Sequence, residues 1–241
     1  MRVSWRSEWA HWLILAAMGL LAGWSWPTVP ARIPVHWNAA GRVDGYGGKV
    51  EGLLALPLVT LGLYLLLLLL PRVDPGRANY AQFAGAYTVV RLAATAFLAA
   101  LYGALVAVAH GQRLDVALLI LVLVGVLLLL VGSVLGKVRP NWFAGIRTPW
   151  TLSSKRAWTR TNRLGGRLFV LLEVLFIGAG LRASSVAVAL PVLLAACGVV
   201  IVGLVVYSYL IWRDDPEKMP PAGAQPVEGG NRRIHGESGK H

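Results

Sequence analysis

An imidazole, an amide and a carboxylate lie close together in His36, Asn38 and Asp44, within the run IPVHWNAAGRVDGYGGK that starts at Ile33. These are oxygen and nitrogen donors of the kind that hold a cation. Their spacing matches no metal-ligand pattern, however, and a side-chain-capped turn accounts for them more simply. No metal is expected. The elements of nucleophilic or hydrolytic catalysis are also missing: the histidines at 11, 36, 110, 235 and 241 are scattered, and HExxH, GxSxG and P-loop patterns are absent. With Cys197 the single cysteine, neither an internal disulfide nor a thiolate metal cluster can form. No catalytic residue and no cofactor is expected.

Denser chemistry sits further along. The run KVRPNWFAGIRTPWTLSSKRAWTRTNRLGGR, from Lys137 to Arg167, carries eight basic residues and no acid. Arg156, Arg160, Arg163 and Arg167 recur at i, i+4, i+7 and i+11, which makes them one continuous face of a helix. Thr151, Ser153 or Ser154 can cap that helix, while Gly145 and Pro149 predict an irregular entry ahead of it. Trp158 and Asn162 fall on a different face. Such a helix suits a membrane surface, with its indole among the lipid headgroups. It equally suits a docking surface for a cytoplasmic partner.

What must position these groups is a membrane bundle. The 241-residue chain is 56% hydrophobic and 14% charged, the composition of an integral membrane protein. A net charge of +12 would point to nucleic acid in a soluble protein. Here the basic residues cluster between apolar runs, so anionic lipid headgroups are the expected partner and direct nucleic-acid binding is not. Six stretches approach the roughly 20 apolar residues that cross about 30 Å of hydrocarbon. They are residues 9–26, 52–70, 83–109, 116–135, 164–181 and 186–212. The expected fold is an all-α polytopic membrane protein with six transmembrane helices, a basic cytoplasmic loop and a disordered C-terminal tail. The first stretch reads as an uncleaved span, because it is long and the one cleavage-like triplet, Val29-Pro30-Ala31, contains proline. Gly19-x-x-x-Gly23 and Gly132-x-x-x-Gly136 offer places for helices to pack closely.

Two charges fall inside these spans, Arg91 in the third and Glu173 in the fifth. Each needs a partner or water at that depth, and the two can pair if their spans are neighbours. Orientation follows from the remaining cations. One side would hold Arg2, Arg6, Arg72, Arg77, the eight of the fourth loop, and Arg213, Lys218, Arg232, Arg233 and Lys240. The other would hold Arg32, Arg42, Lys49, Arg113 and Arg182. That is 17 against 5, so both termini should be cytoplasmic. The tail from Asp214 is rich in Pro and Gly and nearly free of large apolar residues, a composition that does not fold.

The first loop, with Pro34, His36, Asn38, Gly41, Asp44, Gly45 and Lys49, resembles the signature of a bacterial membrane domain of unknown function. The fourth loop resembles a second signature, that of the SdpI-like family, named for immunity to a secreted sporulation-delaying toxin. Its residues here are Asn141, Trp142, Gly145, Ile146, Arg147, Thr148, Trp150, Thr151, Leu152, Ser153, Trp158, Thr161, Arg163, Gly165 and Gly166. Asn162 stands where that family often has histidine, which argues against acid–base or metal chemistry at this position. The resemblance implies a non-enzymatic protein of the bacterial cell membrane. Its implied partners are a secreted peptide toxin and a cytoplasmic repressor recruited to the membrane.

It further implies three parts. Residues 1–110 form an N-terminal membrane domain with the external loop 33–49. Residues 111–212 form an SdpI-like domain with the cytoplasmic loop 137–167. Residues 213–241 form the tail. On this reading Asn141, Trp142, Gly145, Arg147, Thr148, Trp150, Thr151, Ser153, Trp158, Thr161, Arg163 and Gly165, with His36, Asn38 and Asp44, are the candidates for binding a partner or ligand. A small transporter or channel and a membrane-embedded enzyme are the alternatives. The first would favour polar, broken helices, whereas spans two, four and six are almost wholly apolar. The second would need the catalytic patterns already found absent.

Overall fold

A Leu-, Val- and Ala-rich backbone without water beside it can satisfy its own polar groups only within a helix or a closed sheet. The computed structural model describes residues 5–38, 41–180 and 186–219, and helices dominate them. The expectations for Arg2, Arg182, Arg232, Arg233, Lys240 and the tail beyond residue 219 lie outside the described residues. Helix α1 (Trp5–Ser25) is followed by strands β1 (Ile33–Trp37) and β2 (Val43–Gly47), then α2 (Lys49–Val73). A 3-10 turn (Arg77–Phe83) leads into α3 (Ala84–Ala109), and α4 (Val116–Leu135) follows. The short α5 (Pro149–Leu152) precedes two long helices, α6 (Lys155–Gly180) and α7 (Val186–Arg213). α1, α2 and α3 pack together, α3 lies on α4, α4 on α6, and α6 on α7.

Among the described residues four helices are long and apolar enough to cross a membrane: Lys49–Val73, Arg77–Ala109, Val116–Leu135 and Pro191–Arg213. The flanks of α1 and α6 are more polar. α6 corrects the sequence reading in one respect. The basic helix and the fifth apolar stretch are not separate elements; they are the two ends of one continuous helix of 26 residues. Gly165 and Gly166, which look like breakers, sit inside it as points of close packing. A Cβ on Gly166 would come within 2.5 Å of the Gly132 carbonyl oxygen, so α4 and α6 touch backbone to backbone there. A Cβ on Gly19 or Gly23 of the other small-residue motif would meet no other element within 4 Å among the described residues, so that motif makes no such contact.

The first loop is a two-stranded antiparallel hairpin. Its glycines suggest a turn throughout, but Val35, Trp37, Val43 and Tyr46 supply strand formers on either side of one real turn. In that turn Gly41 takes φ +74°, and its N–H donates to the Asn38 carbonyl at 2.8 Å. Ile33, fully buried, plugs the hairpin onto the bundle against Leu53, Tyr102 and Val106. Gly52 leaves room for it, since a Cβ there would lie 2.8 Å from Ile33 Cδ1.

The pairing of Arg91 with Glu173 is also corrected. Arg91 is buried and turns toward α1, where its Nη1 donates to Glu8 Oε1 at 3.1 Å and its Nη2 to Glu8 Oε2 at 2.5 Å. Tyr64 of α2 donates its hydroxyl to the same carboxylate at 3.1 Å, and the guanidinium sits 5.5 Å from the Tyr64 ring centroid. Glu173 is buried separately on α6, with Oε2 facing Gly125 of α4 and, among the described residues, Oε1 without a hydrogen-bond partner. The two charges sit in different parts of the bundle. In the sequence Glu8 falls just outside the first apolar stretch, where a carboxylate looks like an ordinary flank.

Candidate functional site

The residues between α4 and α6 form a closely hydrogen-bonded structure, and it is built from both halves of the chain. α2 is capped at its C-terminus by Asp74, which is buried. Its carboxylate accepts the Gly76 N–H at 2.6 Å, the Tyr80 hydroxyl at 2.8 Å and, from across the chain, the Trp142 N–H at 3.1 Å. Asn79 adds a second bridge, donating its amide to the Pro140 carbonyl at 2.7 Å. Asn141 then shapes the turn that follows. Its Oδ1 accepts from the N–H groups of Phe143 (2.8 Å) and Ala144 (2.6 Å), and its amide donates to the carbonyls of Arg139 (2.8 Å) and Ala144 (2.9 Å). An Asx turn of this kind uses all the capacity of the side chain locally.

Gly145 comes next, with φ +107°, a conformation that suits glycine. A Cβ there would also meet Asn162 Oδ1 at 2.8 Å and the Trp158 ring at 3.2 Å. Asn162 is fully buried; it accepts the Ile146 N–H at 2.8 Å and donates to the Trp158 carbonyl at 3.0 Å. It is therefore a structural amide that ties the loop to α6. Trp158 is fully buried as well, and its indole N–H donates to the Val138 carbonyl at 2.9 Å. Tyr80, Phe83, Tyr87, Val134 and Val138 surround it. The expected seat of this indole among lipid headgroups is thus corrected: it lies in a protein core where the 3-10 turn, α3, α4 and α6 meet.

Thr148 caps α5 in a reciprocal box. Its hydroxyl accepts the Thr151 N–H at 3.1 Å, while Thr151 Oγ1 accepts the Thr148 N–H at 2.8 Å. The Thr148 hydroxyl also meets Ser208 of α7 at 3.0 Å. Ser154 caps α6 by accepting the Ala157 N–H at 2.9 Å, and it donates to the Asp215 carboxylate. That hydroxyl, with the Glu217 N–H, holds the Asp215 carboxyl below the usual carboxylate range. The Met219 N–H donates to the Ser153 carbonyl at 2.9 Å, so the segment after α7 lies over the loop.

The structure sorts the candidates by depth. Asn141, Thr148, Thr151, Ser153, Trp158, Thr161 and Gly165 are buried and build the loop from within. Trp142, Arg147 and Arg163 are exposed, and Trp150 is half-buried with its ring 5.3 Å from that of Tyr209. Arg147 donates to the Trp142 carbonyl, which holds the guanidinium at the rim of a groove of ≈ 440 Å³ lined by Trp142, Pro149, Leu152 and Met219. A second groove of ≈ 410 Å³ lies beside it, between Asn79, Arg139, Lys155 and Thr159. Arg156, Arg160, Arg163 and Arg167 are all exposed along α6, as their spacing predicts.

The first-loop candidates are elsewhere. α2 joins the hairpin to Asp74, and its 25 residues separate the two sets by about 37 Å at 1.5 Å per residue. His36 Nδ1 and Asp44 Oδ1 lie 2.5 Å apart on the exposed face of the hairpin, while Asn38 Oδ1 accepts the Arg42 N–H at 3.0 Å within the turn. Among the described residues no three His, Cys, Asp or Glu side chains converge as a metal site would need. Asp74, Asn79, Ser208 and Asp215 were not singled out in the sequence. Asp74-Pro75-Gly76 announces a turn, but nothing in it reveals which distant backbone the carboxylate will bind.

Residues 137–208 match the SdpI/YfhL protein family, and residues 13–61 match a domain of unknown function, DUF1648. The immunity protein SdpI of Bacillus subtilis (strain 168) is 23% identical over 181 residues, covering 75% of this chain and 84% of that protein. No solved structure matches.

Proposed function

We propose that this chain, which belongs to the SdpI/YfhL family and carries an N-terminal DUF1648 domain, protects a bacterial cell from a secreted peptide toxin by binding at the membrane. On this reading it is a multi-pass protein of the cell membrane with six spans, α1 to α4, α6 and α7, and both termini cytoplasmic. Residues 1–110 and 111–212 are its two membrane domains, and the hairpin faces outward. The observation that carries the reading is where the family match falls. It begins at the loop, runs through α6, and closes at Ser208, the α7 residue that contacts Thr148. The matched segment is thus one built unit with an exposed rim. A second reading, recruitment of a soluble cytoplasmic repressor, is favoured by the arginine face and the two grooves at that same end.

The test is survival. Bacillus subtilis cells lacking SdpI, made to express this chain, should outlive vector controls when exposed to the sporulation-delaying toxin. Survival no better than the vector, with the chain present in the membrane as abundantly as a protecting SdpI control, would contradict the proposal. Protection that appears only with a co-expressed soluble repressor would favour the second reading.

A further inference from the structure

The side of the bundle where α4 meets α6 carries a feature that loop and hairpin leave unexplained. Gly132, Gly136 and Gly166 bring the two backbones together, and all three line a trough of ≈ 480 Å³ beside the contact. Arg163 and Arg167, one helical turn apart on α6, stand at its head. Both are exposed, and among the described residues neither has a hydrogen bond or an ion pair. The wall below them is apolar: Val170, Leu171 and Val174, the last two more than half exposed.

Two free guanidinium forks above an apolar trough call for a ligand that is anionic at one end and oily along its length. Arginine forks match phosphate geometry, and the inner leaflet of a bacterial membrane is anionic. The dimensions agree. From Arg163 to Val174 the helix rises about 16 Å, close to half of the roughly 30 Å of bilayer hydrocarbon. That is the depth of one leaflet. A free phosphate would occupy only the arginine end, and an acidic peptide would not follow the apolar wall.

We propose that this trough is a binding site for a single anionic glycerophospholipid, its phosphate on Arg163 and Arg167 and an acyl chain along Val170, Leu171 and Val174. The proposal rests on the reading that α6 enters the bilayer from the cytoplasmic surface at its basic end. Binding measured in detergent does not depend on orientation or on a toxin, so failure of the site is distinguishable from failure of that reading.

The experiment titrates the full-length protein in detergent with phosphatidylglycerol, phosphatidylcholine, or glycerol phosphate, following thermal unfolding and the lipid retained in native mass spectra. Phosphatidylglycerol should stabilise saturably and remain bound as one copy, whereas the other two should do neither. Arg163→Gln with Arg167→Gln should weaken phosphatidylglycerol about tenfold, the loss of charge-assisted bonds to one phosphate. Lys155→Gln with Arg160→Gln removes the same charge from the same helix, away from the trough, and should leave binding unchanged. Val174→Trp fills the trough at an exposed position and should weaken binding even if the double arginine variant fails to fold. Equal losses in the two charge-removing pairs, glycerol phosphate binding as well as the lipid, or full affinity in Val174→Trp would each overturn the proposal.

Discussion

Trp158→Ala should lower stability by about 3–5 kcal/mol, the range for deleting a large aromatic side chain from a packed core. The indole is fully buried, holds the Val138 carbonyl, and fills the space enclosed by Tyr80, Phe83 and Tyr87. Removing it leaves a cavity at the junction of four elements and an unpaired carbonyl. Trp158→Phe should cost less, because most of the apolar volume remains while the hydrogen bond is lost. Gly145→Val strikes the same place from the loop side. It combines a φ of +107° with a Cβ only 2.8 Å from Asn162 Oδ1, so the loop must detach from α6 to admit it. Unfolding in detergent, followed by tryptophan fluorescence or by loss of monodisperse protein on heating, reads both effects. A Trp158→Ala protein with native thermal stability would place the indole outside the core.

Glu8→Ala and Arg91→Ala should each be as damaging, at about 3–5 kcal/mol, because either removes one half of a buried, doubly hydrogen-bonded ion pair. The paired atoms lie 2.5 to 3.1 Å apart and both side chains are almost wholly buried. The double variant should be much less impaired than the sum of the two, since removing both charges removes the penalty as well as the attraction. Glu173→Ala combined with Arg91→Ala should by contrast be additive. Strict additivity for Glu8 with Arg91 would mean that the pair does not form in the folded protein.

Much of this architecture is legible in the chain before any coordinates. A helix over 116–135 follows directly from an uninterrupted run of Leu and Val, and it is found at those bounds. The arginine face of α6 is legible because a 3.6-residue period puts Arg156, Arg160, Arg163 and Arg167 in line, and all four are exposed. The same period shows that Trp158 and Asn162 point elsewhere. It does not show what they meet, since a face turned from the charges can lie against lipid or against protein. That choice depends on the 3-10 turn and α4 arriving from other parts of the chain.

Distance in sequence hides the other details for the same reason. Glu8 and Arg91 are 83 residues apart, and no local pattern joins them. Asp74 reaches Trp142 over 68 residues, so a turn signal at one end and a signature tryptophan at the other read as unrelated. The hairpin was obscured differently. Its strands are only five residues long and crowded with glycine, which local propensity scores as a turn, and they are fixed by Ile33 packing against Gly52 and Leu53.

The loop is proposed to act through a shaped surface and not through charge alone, and one comparison tests this most directly. Arg147 is oriented by its bond to the Trp142 carbonyl at the rim of the groove, whereas Arg156 lies on the exposed face of α6. Lysine keeps the charge at either position but lacks the planar, multi-donor fork. Toxin survival of cells carrying Arg147→Lys or Arg156→Lys, normalised to the amount of each protein in the membrane, is the measurement. Loss of protection in Arg147→Lys, with Arg156→Lys protecting like the parent chain, is the result predicted. Full protection in both would reduce the loop to an electrostatic anchor and contradict a shaped docking surface.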